Sequence, residues 1–219
     1  MPKKVAVIHT STVSLDDLRG LFARIMPEVE MVNIIDESLL REVMANGKVT
    51  PSIIRRICSY AVHAEDMGAD LILNQCSSVG HAVNIARSLV NIPYIKIDEQ
   101  MAEDAVSTGE NISLIATVAS TVDPSAGLIE EAAQNMGKKV NVKRCLVDGA
   151  LDILMKEKDV KKHNRLVVDA IKKAVPDSDV IVLAQGSMTG LLPELKDLGI
   201  PVLSSPESGV RKVRKVLGL

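Results

Sequence analysis

The amino-acid sequence predicts an α/β protein of two similar lobes, each a mostly parallel four-stranded sheet flanked by helices, related by a pseudo-two-fold axis. Two observations predict this class. Short, continuously apolar runs alternate with stretches at helical spacing, as in parallel strands covered on both faces, and landmarks of the first half of the chain recur in the second. Composition agrees: of 219 residues, 47% are hydrophobic and 25% charged, the balance of an ordinary globular protein.

The elements follow in order. Residues 5–8 (Val-Ala-Val-Ile) form an apolar strand ending at His9, a polar turn Thr10-Ser11-Thr12 follows, and Leu15, Leu18, Leu21, Phe22 and Ile25 recur at helical spacing. Residues 31–35 read as strand, 53–67 as an amphipathic helix closed by Gly68, 71–73 as strand, 79–89 as helix and 94–97 as strand. The second half begins again with strand 112–116, helix 127–136, strand 140–147, the end of a long helix at 166–175, and strands 180–184 and 202–203. The expected division is a first lobe over residues 1–100, with 207–219 packing back on it, and a second over 101–206.

The repetition is specific. Ser11-Thr12-Val13 recurs as Ser120-Thr121-Val122, and Ala69-Asp70-Leu71-Ile72-Leu73 as Ser178-Asp179-Val180-Ile181-Val182, both 109 residues apart. Ile92-Pro93 recurs as Ile200-Pro201, and Glu99 falls on Glu207, both 108 apart. A duplicated α/β unit follows, and two lobes facing each other across an axis bring both sets of strand ends to one cleft. Ligands of open parallel sheets sit beyond those carboxyl ends.

Several function classes are excluded on composition and spacing. The 26 basic and 28 acidic residues leave a net charge of −2, without the basic excess that nucleic acid selects. Trp is absent, Phe22 stands alone and the tyrosines are Tyr60 and Tyr94, so base-stacking platforms have little to be built from. No apolar run approaches the roughly 20 residues of a membrane helix. No Gly-rich phosphate fingerprint and no ligand pair at metal spacing occurs, so no cofactor and no metal are expected. Cys58, Cys76 and Cys145 are odd in number and widely spaced, which fits a reduced, cytoplasmic compartment. A homodimer is a further expectation.

At the predicted strand ends lie His9, Thr10 and Ser11, then Gln75, Cys76, Ser77 and Ser78, and in the second half Thr117, Ser120 and Thr121, then Gln185, Gly186 and Ser187. Cys76 sits where a strand gives way to a helix, a setting that favours a thiolate, and it is the candidate nucleophile or base. The hydroxyl-rich loops are suited to a small carboxylate, although N-capping needs the same residue types. Cys58 and Cys145 read as small core residues, His63, His81 and His163 as solvated or peripheral, and Glu99 and Glu207 as binding acids or first-turn helix acids. The cluster Arg211-Lys212, Arg214-Lys215 reads as the solvated face of an amphipathic last helix.

These residues resemble the aspartate/glutamate/hydantoin racemase superfamily over essentially the whole chain. The resemblance rests on residues 70–78 as a first cysteine motif, 114–121 as a Thr/Ser-rich loop, 97–99 (Ile-Asp-Glu), and 179–188 as a second motif in which Gln185 stands where a cysteine would be. It implies cofactor-free chemistry on a small carboxylate, in which two facing cysteines exchange the substrate's α-proton. Cys76 matches the first of them. An amide at Gln185 does not exchange protons usefully near neutral pH, which puts two-thiol racemisation in doubt. Three chemistries survive: one-sided proton transfer with Gln185 and the hydroxyls stabilising an enolate, covalent attack by Cys76, or replacement of the lost thiol by His9. A catalytically silent small-acid binding protein is the alternative from another class, and a one-thiol decarboxylase or tautomerase the alternative within this one.

Overall fold

The computed structural model describes residues 2–219, apart from the side chain of Met155. In chain order the elements are β1 (Lys4–His9), α1 (Leu15–Ile25), β2 (Glu30–Ile35), α2 (Glu37–Asn46), α3 (Pro51–Asp66), β3 (Leu71–Asn74), α4 (Gly80–Ala86), β4 (Tyr94–Lys96), α5 (Glu99–Thr108), β5 (Asn111–Ala116), α6 (Ala119–Asn135), β6 (Asn141–Leu146), α7 (Ala150–Asp152), α8 (Val160–Ala174), β7 (Val180–Leu183), β8 (Val202–Ser204) and α9 (Ser205–Val216). Two compact units result, Met1–Ile97 with Pro206–Leu219, and Asp98–Ser205.

Each unit holds an all-parallel four-stranded sheet, in the order β2-β1-β3-β4 in the first and β6-β5-β7-β8 in the second. β1 is central because both faces of its apolar run are covered. Val5 and Val7 pack with Leu18 and Phe22 of α1 and Val210 and Val213 of α9, while Ala6 and Ile8 pack with Leu39 of α2, Ile53 and Ile57 of α3 and Val83 of α4. In the second unit Ile112 and Leu114 of β5 pack against α5 and α6, and Ile115 against Val167 and Ile171 of α8. The edge strands β2 and β6 are only partly buried, which is why their apolar runs are broken by Glu30, Asn33, Lys143 and Arg144.

α9 belongs to the first unit because Val210 and Val213 are wholly buried in its core, each side chain contributing about 1.5–3 kcal/mol by removal from water. Its approach requires Gly209, since a Cβ there would overlap the carbonyl of Ile97.

Two of the repeated motifs fasten the amino ends of the strands. The Asp70 carboxylate accepts from Lys4 N at 2.8 Å, and the Asp179 carboxylate from Glu110 N at 3.0 Å and Asn111 N at 2.8 Å. The Pro93 and Pro201 carbonyls accept from Ile72 N and Ile181 N at 2.8 and 2.9 Å.

Several elements differ from the sequence reading. α6 begins at Ala119, eight residues before the expected start, and carries Pro124 inside it, so Ser120 and Thr121 lie in a helical first turn rather than in a loop. α2, the extent of α5 beyond Glu99 and a 3₁₀ segment at Gly186–Leu195 were not anticipated. His163, read as solvated, is buried at 1% exposure on the inner stripe of α8 with Val167, Ile171 and Ala174. Its Nδ1 meets Asn164 Oδ1 at 2.9 Å, which satisfies one of its two polar atoms inside the fold.

Candidate active site

Cys76 lies two residues beyond the end of β3 and caps a 3₁₀ turn, Ser77–Val79, with extended backbone at φ −120°, ψ 120°. Gln185 follows β7 and caps the Gly186–Leu195 segment at φ −125°, ψ 140°. The residue before each is tied to the neighbouring first strand in the same way, Gln75 N to Ile8 O at 3.0 Å and Ala184 N to Ile115 O at 2.9 Å. Thiol and amide therefore hold equivalent places at the carboxyl ends of two sheets built alike.

In the first lobe Cys76 is half-buried against the cluster of α2, α3 and α4. Asn74, with 0% exposure, donates from Nδ2 to the Cys76 carbonyl at 2.7 Å, which fixes the turn, and its Oδ1 has no partner. Ser77 and Ser78 are buried in the turn itself. His9 ends β1 wholly buried, its Nε2 at 2.8 Å from Asn33 Oδ1 on β2. An amide oxygen there makes Nε2 the protonated nitrogen and leaves Nδ1 with a lone pair and no partner. Burial, with a smaller contribution from the Arg19 charge, holds the imidazole below its ordinary pKa against the opposing bond to Asn33, so it is neutral at pH 7. Thr10 Oγ1 and Gln75 Oε1 are also buried without partners, while Gln75 Nε2 donates to Ser14 Oγ. Ser11 is half-buried.

In the second lobe the side-chain amide of Gln185 makes three hydrogen bonds. Its Oε1 accepts from Thr117 N at 2.8 Å and Thr117 Oγ1 at 3.2 Å, and its Nε2 donates to Thr121 Oγ1, which in turn donates to Val118 O at 2.7 Å. The amide thus ties β7 to the β5–α6 connection. Ser120 and Gly186 are half-buried, Ser187 is exposed, and Glu99 lies in the first turn of α5.

The remaining candidates separate from these clusters. Glu207 is paired with Arg24 at 2.8 Å and Arg211 at 2.7 Å, and these bonds hold its carboxyl below the usual range. Burial pushes the Cys58 and Cys145 thiols up, which suits packing rather than reaction. Among the described residues no group of three or more His, Cys, Asp or Glu is placed to hold a metal ion, and no helix is long and apolar enough to cross a membrane. Sequence reasoning missed Asn33, Asn74 and Lys96 as parts of these strand ends. The available signal was a polar residue closing an otherwise apolar strand, as in Leu71-Ile-Leu-Asn74 and Tyr94-Ile-Lys96.

A family model described as Asp/Glu/Hydantoin racemase matches residues 19–213. The chain belongs to the Asp/Glu/hydantoin racemase family. As a member it is an enzyme of the racemase-like isomerase type. Solved structures of similar fold include a glutamate racemase isoform from Bacillus anthracis (TM-score 0.75, 15% identity, 99% of this chain and 82% of that one). An aspartate racemase from Picrophilus torridus is also similar (TM-score 0.70, 20% identity, 99% and 94%), as is an arylmalonate decarboxylase (TM-score 0.63, 16% identity, 98% and 92%). No curated protein sequence matches significantly.

Proposed function

We propose that this member of the racemase family is a cofactor-independent isomerase acting on a small carboxylate, an amino acid or related acid, with Cys76 as its reacting group. The observation that carries the reading is the contrast at equivalent places: a half-buried thiol at the head of one turn, an amide committed to three hydrogen bonds at the head of the other. Gln185 supplies no second proton carrier. Its role is to hold Thr117 and Thr121 in place, so that their loop binds the substrate carboxylate together with Ser120, Gly186 and Ser187. In the first lobe Thr10, Ser11, Ser77 and Ser78 are the corresponding carboxylate-binding hydroxyls, and Glu99 is a further binding group.

Chemistry with one thiol follows. His9, neutral and with an unpartnered Nδ1, takes the proton from the substrate carbon while the Cys76 thiol delivers one, and the reverse direction uses the imidazolium and the thiolate. The enolate formed between these steps is stabilised by hydroxyl and amide donors. In a covalent variant the Cys76 thiolate attacks an electrophilic carbon and is later expelled. A second reading, protonation of an enolate after decarboxylation, is favoured by the single thiol and by the fold shared with arylmalonate decarboxylase.

The test is a panel of amino acids, hydroxy acids, unsaturated diacids and malonates, each followed for isomer formation or loss of carbon dioxide, with a thermal-shift measurement alongside. Turnover abolished by Cys76→Ser is the expected result. Ligands that raise the melting temperature without any turnover would replace the isomerase by a silent binding protein.

A further inference from the structure

Lys96 ends β4 with 6% of its surface exposed, and an ammonium is seldom placed so unless anionic or polar groups face it. Its side chain shares the sheet face of Tyr94 and passes the first residue of α4. Its Cδ, Cε and Nζ lie 3.8, 3.8 and 3.9 Å from where a Gly80 Cβ would stand, so the ammonium lies beside the turn that Cys76 begins. Its register partner across the sheet is Asn74, the residue that bonds the Cys76 carbonyl.

The duplication supplies an internal control. The pair in the same register beside Gln185 is Leu183 and Ser204, and 109 residues after Gly80 stands Thr189. Asn74, Lys96 and Gly80 hold these places beside the thiol, and Leu183, Ser204 and Thr189 hold the same places beside Gln185.

We propose that Lys96 is a positioning residue for Cys76, its ammonium stabilising the thiolate that is left when the thiol gives up its proton. This rests on the reading of Cys76 as the reacting group. The buried carboxylate of Asp98, two residues beyond Lys96, is a further charge at this end of β4. Cys58, Tyr60 and Tyr94 pack in the same cluster and are neutral at pH 7, because burial pushes all three up. Arg56 of α3 is paired with Glu42 of α2 and with Asp36, Arg87 donates to the Tyr94 carbonyl at 2.8 Å, and His81 of α4 is exposed.

The experiment is alkylation by iodoacetamide, quantified at each cysteine by peptide mass spectrometry across a pH series, in the intact protein and in Lys96→Met, Lys96→Gln and Lys96→Arg. In the two neutral variants the Cys76 profile moves up by about one pH unit, so that the reaction near pH 7 slows roughly tenfold. Lys96→Arg restores most of the rate, and Cys58 and Cys145 are unchanged in the same digests. An unmoved Cys76 profile in folded Lys96→Met and Lys96→Gln overturns the proposal. A parallel shift at Cys58 also overturns it, because that reports a loosened lobe. Alkylation does not depend on turnover, so a substrate panel without turnover sinks the isomerase alone, and an unmoved profile in an active enzyme sinks the role of Lys96 alone.

Discussion

Replacing Gln185 probes whether the amide is a structural tie. Gln185→Ala removes the bonds from Thr117 N (2.8 Å) and Thr117 Oγ1 (3.2 Å) and the bond to Thr121 Oγ1. At about 1 kcal/mol net for each hydrogen bond, and with water partly replacing the amide at this half-buried position, the loss is about 2–3 kcal/mol. Gln185→Glu keeps an acceptor for both Thr117 groups but sets a second acceptor opposite Thr121, whose hydroxyl proton already goes to Val118 O, so about 1 kcal/mol is lost. Urea unfolding, followed by circular dichroism, should rank intact protein above Gln185→Glu and that above Gln185→Ala. For a chain of this length each kcal/mol corresponds to roughly 2–4 °C in melting temperature. Gln185→Ala as stable as the intact protein, or less damaging than Gln185→Glu, would refute the reasoning.

Other perturbations follow from the same geometry. Gly209→Ala forces a methyl against the Ile97 carbonyl and should lower stability in urea by about 1–3 kcal/mol. Asp36 is raised by burial, but bonds from Ser38 and Tyr60 and the Arg56 charge outweigh this and hold it below the ordinary value. Its stabilising effect is therefore complete above its unfolded pKa near 4 and lost as pH falls through the lower folded one. Asp36→Asn should accordingly flatten acid unfolding curves. His9 has the same sign: above about pH 6.5 neither state is charged, and below it the unfolded chain binds the proton first, so stability falls with pH. A fluorescent-dye melting series should lose that slope in His9→Gln.

The strands of the core were legible because a parallel strand covered on both faces must be apolar throughout, as residues 5–8 and 180–183 are. The helices that escaped notice bury little that stands out in a sequence. α2 buries Leu39 and Val43, and α5 buries Met101 and Val106 with two alanines. The start of α6 was masked by Pro124, whose missing N–H argues for a loop when read locally. His163 carried a signal that went unread, since 163, 167, 171 and 174 form one helical stripe. At the site, the equivalence of Cys76 and Gln185 was visible as a sequence offset. The commitment of the Gln185 amide to Thr117 and Thr121 was not, because it joins residues 64 and 68 positions apart through side-chain geometry. Lys96 was hidden for a related reason, as a charge at a strand end reads as solvent-facing until the helix above it is placed.

Solvent deuterium uptake at the substrate carbon, measured by proton NMR for intact protein and Cys76→Ala on whichever acid of the panel turns over, is the most direct check. The account predicts labelled product of the opposite configuration from the intact protein and a loss of at least about a hundredfold in its formation by the variant, the usual scale for removing a group that transfers the proton. Labelled product of the opposite configuration forming at the same rate without the Cys76 sulfur would contradict it.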